Sequence, residues 1–268
     1  MVKSLNGSEL AGFIKQRHAG QVRALRSRKV YPKLAIVQLK DDPVINTYVR
    51  LKKGYGADIG VEVDVYTPKE VDAPKLLDKL SSSDDVHGII VQLPLPNPER
   101  TDEIVNLVAP DKDVDALGKN ALFEPATPMA ILWLLAGYNI NLVGQKVLII
   151  GRGKLVGGPL EKILKDSGLN VSVAVKESAD LGKLVKEANI VISAANEAEI
   201  LTSDMLEPGQ VIVDAGVAGE DGKTTGNVSS DVYKRTDLTI TPQKGGVGPL
   251  TVCALFENVI RAASDAKG

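Results

Sequence analysis

The stretch Lys146-Val-Leu-Ile-Ile-Gly-Arg-Gly-Lys-Leu-Val-Gly-Gly-Pro159 constrains this chain more than any other. Four apolar residues, Val147 to Ile150, predict a short buried strand that runs into a glycine turn and then a helix from about Leu155. Gly151, Gly153 and Gly157 remove side chains where a backbone must turn tightly and approach a ligand closely. A helix starting after such a turn aims free N–H groups and its positive dipole end at the occupant, which favours a pyrophosphate. The spacing Gly-x-Gly-x-x-x-Gly is one residue longer than the commonest dinucleotide fingerprint. Alone, it reads equally well as structural punctuation. Its surroundings favour the nucleotide: strand-like Val171 to Val175, helical Leu181 to Glu187 and apolar Ile190 to Ser193 follow, giving a βαβαβ series.

The preceding sequence has the same alternation. Ser8 can cap a helix whose apolar stripe runs through Leu10, Phe13, Ile14, Val22 and Leu25. Lys33 to Leu39 reads as a buried strand, broken by Asp41-Asp-Pro43. A helix to about Ile59, a strand over Val61–Tyr66, a helix over Ala73–Leu80 and a strand over Gly88–Leu93 come next. Pro94, Pro96 and Pro98 end that strand. The implied sheet is mostly parallel, and ligands of such sheets bind beyond the carboxyl ends of strands. Three polar features fall there. Tyr48 and Lys52 are an i, i+4 pair on one helix face, which would also suit a solvated face. Asp111-Lys-Asp-Val-Asp115 is an acidic turn whose carboxylates could be turn or cap residues. Gln92, in an otherwise apolar strand, needs a polar partner.

The length of 268 residues suits two domains. A net charge of −2 leaves no basic field for nucleic acid, and no segment has the pattern of a membrane span, membrane-surface helix or signal peptide. Cys253 is the sole cysteine, so no internal disulfide can form and a reducing cytoplasm fits. With His18 and His87 the only histidines, a metal site has little to build on. Trp133 and Cys253 read as packing residues. These features alone lead to a two-domain NAD(P) oxidoreductase of unspecified substrate.

Four ordered blocks then resemble the bifunctional methylenetetrahydrofolate dehydrogenase/methenyltetrahydrofolate cyclohydrolase family. Asp41 to Lys52 is similar to its Tyr-x-x-x-Lys signature. Gly88-Ile-Ile-Val-Gln-Leu-Pro-Leu-Pro96, Pro110-Asp-Lys-Asp-Val-Asp115 and Lys244-Gly-Gly-Val-Gly-Pro-Leu-Thr251 resemble three more blocks. The resemblance implies an α/β fold with two domains. A folate-binding catalytic domain would span residues 1–122 and 246–268, its last helix returning to it. A Rossmann-type dinucleotide domain would span 123–245, entered by a helix that Pro125 and Pro128 bracket at its start. Tyr48 would pack on the tetrahydrofolate substrate. Lys52 would be the central acid/base group, Gln92 its support, and Asp115 the holder of the pterin's amino edge. Leu93, Pro249 and Leu250 would also contact substrate. The dinucleotide would meet Gly151, Arg152, Gly153, Val156, Gly157, Lys176, Ala195, Val217 and Thr251. A homodimer is implied as well.

The departures from the family pattern gather around the dinucleotide. Gly153 replaces a serine, and the segments Ala126–Ala130, Val175–Ser178, Ala194–Ala198, Val217–Ala218 and Gln243–Lys244 differ from the usual residues. Near the folate, Ile45 replaces a common serine. A cyclohydrolase with weakened or lost hydride transfer, and a non-catalytic folate-binding protein, therefore stand as alternatives. On charge, Arg152 and Lys176 would pair with the 2′-phosphate of NADP. NAD is possible if Glu177 takes the ribose diol instead. NADP is the expectation.

Overall fold

The computed structural model describes residues 3–175, 178, 180–216, 218–220 and 223–266. Strand β1 (Lys3–Ser4) and helix α1 (Gly7–Ser27) are followed by β2 (Lys33–Gln38), α2 (Pro43–Ile59), β3 (Glu62–Tyr66), α3 (Ala73–Ser81), β4 (Gly88–Gln92) and a short α4 (Thr101–Val105). Helix α5 (Ala126–Gly137) leads to β5 (Val147–Ile150), α6 (Gly157–Asp166), β6 (Val171–Ala174), α7 (Leu181–Glu187), β7 (Ile190–Ser193) and β8 (Val211–Asp214). A hairpin of β9 (Ala218–Glu220) and β10 (Lys223–Thr225), then β11 (Thr239–Ile240) and α8 (Val247–Asp265), complete the chain. Among the described residues, no helix is long and apolar enough to cross a membrane.

The chain forms two compact units, neither contiguous in sequence. One joins the residues through Ala11 to Thr127–Thr251; the other joins Gly12–Ala126 to the residues from Val252 onward. These limits differ from the sequence division at both ends. The first residues belong with the later unit because β1 adds a parallel edge strand to β11, pairing Ser4 with Ile240. Residues 123–126, expected in the dinucleotide domain, and 246–251, expected outside it, fall on the opposite sides.

The unit built on Gly12–Ala126 has a parallel three-stranded sheet in the order β3-β2-β4. β2 is nearly all buried, as a strand covered on both faces must be. Ala35, Val37, Ile89 and Val91 face Leu77 and Leu80 of α3. The other unit has a six-stranded parallel sheet, β1-β11-β8-β7-β5-β6. Its core includes Leu148, Ile150, Val191 and Ile212.

Two local expectations give way. The α1 cap is Asn6, whose side-chain oxygen accepts the Glu9 N–H at 3.2 Å. Ser8 lies inside the first turn, its own N–H bonded to Gly245 O at 2.9 Å. Phe13 is 66% exposed rather than part of the buried stripe, whereas Val22 and Leu25 are buried.

Candidate active site

In the smaller sheet the chain leaves β2 for β3 on one side and returns to β4 on the other. The carboxyl ends of β2 and β4 therefore flank a switch point, where ligands of open parallel sheets bind. Gln38 and Gln92 face each other there in register. Gln38 is committed to structure: its amide donates to Lys40 O at 2.9 Å and Asn46 Oδ1 at 2.7 Å. Gln92 instead reaches toward helix α2.

Helix α2 delivers the next groups. Asp42 caps it, accepting Val44 N–H at 2.9 Å and Ile45 N–H at 3.3 Å, and Pro43 sits where its missing N–H costs nothing. Gly60, at φ +85°, ends it. Ile45 is buried in the core, so this replacement is a packing residue. Tyr48 is 37% exposed, and partial burial pushes its hydroxyl pKa up. Lys52, one turn later, is half-buried, and its Nζ donates to Gln92 Oε1 at 2.7 Å. The Gln92 amide in turn donates to Leu93 O at 3.1 Å, holding its oxygen toward Lys52.

The 110–118 loop supplies the carboxylate. It is pinned beside β4 by Ile89 N–H, which donates to Lys112 O at 2.7 Å. Asp113 is the turn residue: its carboxylate accepts Gly118 N–H at 2.7 Å and Leu117 N–H at 3.4 Å. Asp115 has a different surrounding. Burial pushes its pKa up while the Lys52 charge pulls it down. Burial likewise lowers the Lys52 pKa, and the Asp115 charge opposes that. An amine able to give and take a proton thus stands beside a neutral amide acceptor and a half-buried carboxylate.

A buried cluster nearby on α2 was not legible in the sequence. His18, fully buried, shares hydrogen bonds with Tyr55 Oη at 2.9 Å and Glu257 Oε2 at 2.8 Å. Tyr55 donates to Cys253 Sγ at 3.3 Å, and its ring lies 4.9 Å from that of Phe256. Tyr55 is three residues beyond Lys52, so these contacts help to fix the helix that carries Lys52.

In the other unit the glycine turn follows β5, which has β6 on one side and β7 on the other, again a switch point. Gly151 has φ +100°, and a Cβ there would lie 2.6 Å from Ala194 O. At Gly157 a Cβ would lie 2.0 Å from Gly151 O. Both positions require glycine. A Cβ at Gly153 would meet nothing within 4 Å, so that side of the turn stands open to a ligand. Val156 gives α6 no side-chain cap, which leaves the helix start to an anion. The turn fits a dinucleotide pyrophosphate.

Arg152 forms a two-bond pair with Glu161, Nε to Oε2 at 2.8 Å and Nη2 to Oε1 at 2.7 Å. The Ala195 N–H donates to Asn227 Oδ1 at 2.9 Å, and Asn227 Nδ2 donates to Ala195 O at 3.0 Å. Ser193 also donates to Asn227 Oδ1, at 2.6 Å. Asn227, unnoticed in the sequence, therefore fixes the loop after β7. The half-buried Asp214 carboxylate accepts Asn227 N–H at 3.1 Å and Val228 N–H at 3.2 Å. Pro249 is half-buried and Leu250 is fully buried. Thr251 Oγ1 donates to Val247 O at 3.4 Å. Lys176, Glu177 and Val217 lie outside the described residues.

Known proteins share this fold. Residues 5–115 match the model of the tetrahydrofolate dehydrogenase/cyclohydrolase catalytic domain, and residues 125–267 that of the family's NAD(P)-binding domain. A bifunctional protein FolD of Lactobacillus acidophilus is 36% identical over 275 residues, covering 97% of each chain. One from Exiguobacterium sibiricum is 33% identical, covering 98% of this chain and all of the relative. The crystal structure of the bifunctional FolD methylenetetrahydrofolate dehydrogenase/cyclohydrolase of Campylobacter jejuni superposes with a TM-score of 0.91 at 32% identity, covering 99% of each chain. That of the Trypanosoma brucei enzyme, complexed with NADP cofactor and an inhibitor, gives 0.91 at 26% identity, covering 99% of this chain and 98% of that one. With both family models matched and full-length relatives above 30% identity, the chain belongs to the tetrahydrofolate dehydrogenase/cyclohydrolase family.

Proposed function

We propose that the protein oxidises 5,10-methylenetetrahydrofolate to 5,10-methenyltetrahydrofolate with NADP and hydrolyses the product to 10-formyltetrahydrofolate. The observation that carries this reading is the Lys52 Nζ–Gln92 Oε1 bond of 2.7 Å, with Asp115 close enough to act on the Lys52 charge, at the carboxyl end of β4. Binding folate calls for no amine of lowered pKa; moving protons does. Bound at the glycine turn, NADP supplies the acceptor for the hydride that leaves the methylene carbon. For that step the chain contributes alignment, through the turn and the folate site.

The second reaction uses the side chains. Water adds to the methenyl carbon, and the Lys52 free amine takes a proton from it. The bond from that carbon to N5 then breaks, Lys52 returns the proton to the departing nitrogen, and the remaining hydroxyl proton leaves to solvent as the formyl C=O forms. Gln92 Oε1 orients the amine throughout and stabilises its protonated form. Asp115 takes the pterin amino edge through carboxylate hydrogen bonds, Tyr48 covers the ring face, and Leu93 and Pro249 add apolar contact. In the dinucleotide unit Gly151, Gly153, Val156 and Gly157 line the pyrophosphate, Arg152 faces the 2′-phosphate, and Ala195 and Thr251 flank the remainder.

An absorbance assay tests this directly. With methylenetetrahydrofolate and NADP, reduced nicotinamide and the methenyl signal should appear together, and added methenyltetrahydrofolate should decay faster than in buffer. Lys52→Met should lower cyclohydrolase turnover by about 10²–10⁴-fold, the usual worth of a positioned acid/base group. Unimpaired turnover in that variant would remove Lys52 from the mechanism. On the family resemblance we also place the protein in the cytoplasm as a homodimer. Sedimentation equilibrium should give twice the mass of one chain, and a mass equal to one chain would refute the dimer.

A further inference from the structure

The glycine turn has an acidic neighbour that phosphate binding leaves unexplained. Glu161, in α6, accepts two hydrogen bonds from one edge of the Arg152 fork and a third from Lys165 Nζ at 2.7 Å. Its side chain is 12% exposed, against 58% for Arg152 and 52% for Lys165. The carboxylate is therefore the enclosed member, and the two exposed cations reach back to it. The Arg152 and Lys165 hydrogen bonds hold its pKa down at about 2, so it is ionised throughout the neutral range.

Two consequences follow for a nucleotide at the turn. One of the two positive charges is cancelled, and one of the edges by which a guanidinium grips an oxyanion is occupied. A 2′-phosphate is a dianion that needs both the charge and the fork. A 2′-hydroxyl needs neither. We propose that Glu161 is a specificity-determining residue that lowers the preference of this chain for NADP over NAD by competing with the 2′-phosphate for Arg152. The inference rests on Arg152 facing that phosphate, as proposed above. A purely structural ion pair at the start of α6 would affect both dinucleotides alike, because the pyrophosphate and both nucleosides are common to them.

Calorimetric titration of the full chain with NADP and with NAD, at low salt, separates the two. Glu161→Gln should tighten NADP by about fivefold, the upper end of what one exposed charge pair contributes. NAD affinity should stay within about twofold, since its 2′-hydroxyl carries no charge for Arg152 to pair with. Combining the change with Arg152→Gln should erase the gain, because the effect runs through that guanidinium. An unchanged or lowered NADP-to-NAD affinity ratio in Glu161→Gln overturns the inference, as does the same gain in the Arg152→Gln background. If the unaltered protein binds neither dinucleotide, the dehydrogenase reading falls and the inference falls with it. If it binds either one and the ratio does not move, only the inference falls.

Discussion

Lys52 and Asp115 each lose hydration and each relieve the other. Burial lowers the Lys52 pKa, and the Asp115 charge raises it part of the way back. The free amine is thus present at lower pH than in an unfolded chain, and folding releases protons from it. The stability cost of burying Lys52 is largest where the amine is protonated in both folded and unfolded chains; it fades as pH rises through the lowered folded value and is gone above the unfolded one. Lys33 shows the opposite sign. Its pKa is raised, chiefly by the hydrogen bond to Glu62, so its contribution is present at neutral pH and lost as pH climbs through the raised value. For catalysis, the acid limb of the cyclohydrolase profile should report Lys52 deprotonation. Asp115→Asn removes the charge that raises the Lys52 pKa, so that limb should move to lower pH even as kcat/KM falls from the lost folate contact. A pH–rate series on both forms decides the matter; a limb that stays put or moves alkaline would assign the titration to another group. Part of this site was legible in residues alone. The Tyr48–Lys52 spacing and a glutamine in an apolar strand marked it, but joining Lys52 to Gln92 across forty positions needed the family resemblance. Glu161 had no such signal, because an acidic residue in an amphipathic helix is ordinary.

At the scale of elements, the glycine turn separates obligatory from permissive positions. A Cβ at Gly157 meets a backbone carbonyl that cannot swing aside, whereas one at Gly153 meets nothing. Gly157→Ala should therefore lower stability by about 1–3 kcal/mol, as overpacking does, and cut dinucleotide affinity. Gly153→Ala should change stability by less than about 1 kcal/mol. Thermal melts with and without NADP read both effects, and equal behaviour of the two variants would refute the contact geometry. The buried strands β2, β4, β5 and β7 were legible because each is an apolar run bounded by polar residues. β1 and β11 were not, since two-residue strands carry no periodicity. The α1 cap was misjudged for a related reason. Asn6 and Ser8 are equally good caps locally, and a hydrogen bond from Ser8 N–H to distant Gly245 O places Ser8 inside the helix.

At the scale of the molecule, both polypeptide units are parallel sheets whose direction of growth reverses once, and both candidate sites lie at those reversals. The sequence carried the architecture because alternating strands and helices leave few topologies. It did not carry the unit limits, which depend on the edge strand at the start of the chain and on the point within α8 where packing partners change. The chain passes from one unit to the other after Ala11, after Ala126 and after Thr251. All three crossings fall inside helices, α1, α5 and α8, rather than in loops. A single break in the backbone therefore frees neither unit whole: a fragment ending at Ala126 lacks Phe256 and Val259, both fully buried, and one beginning at Thr127 lacks β1. The two units are inherited, synthesised and degraded as one interlaced thread, and neither could be lent to another protein by a single splice.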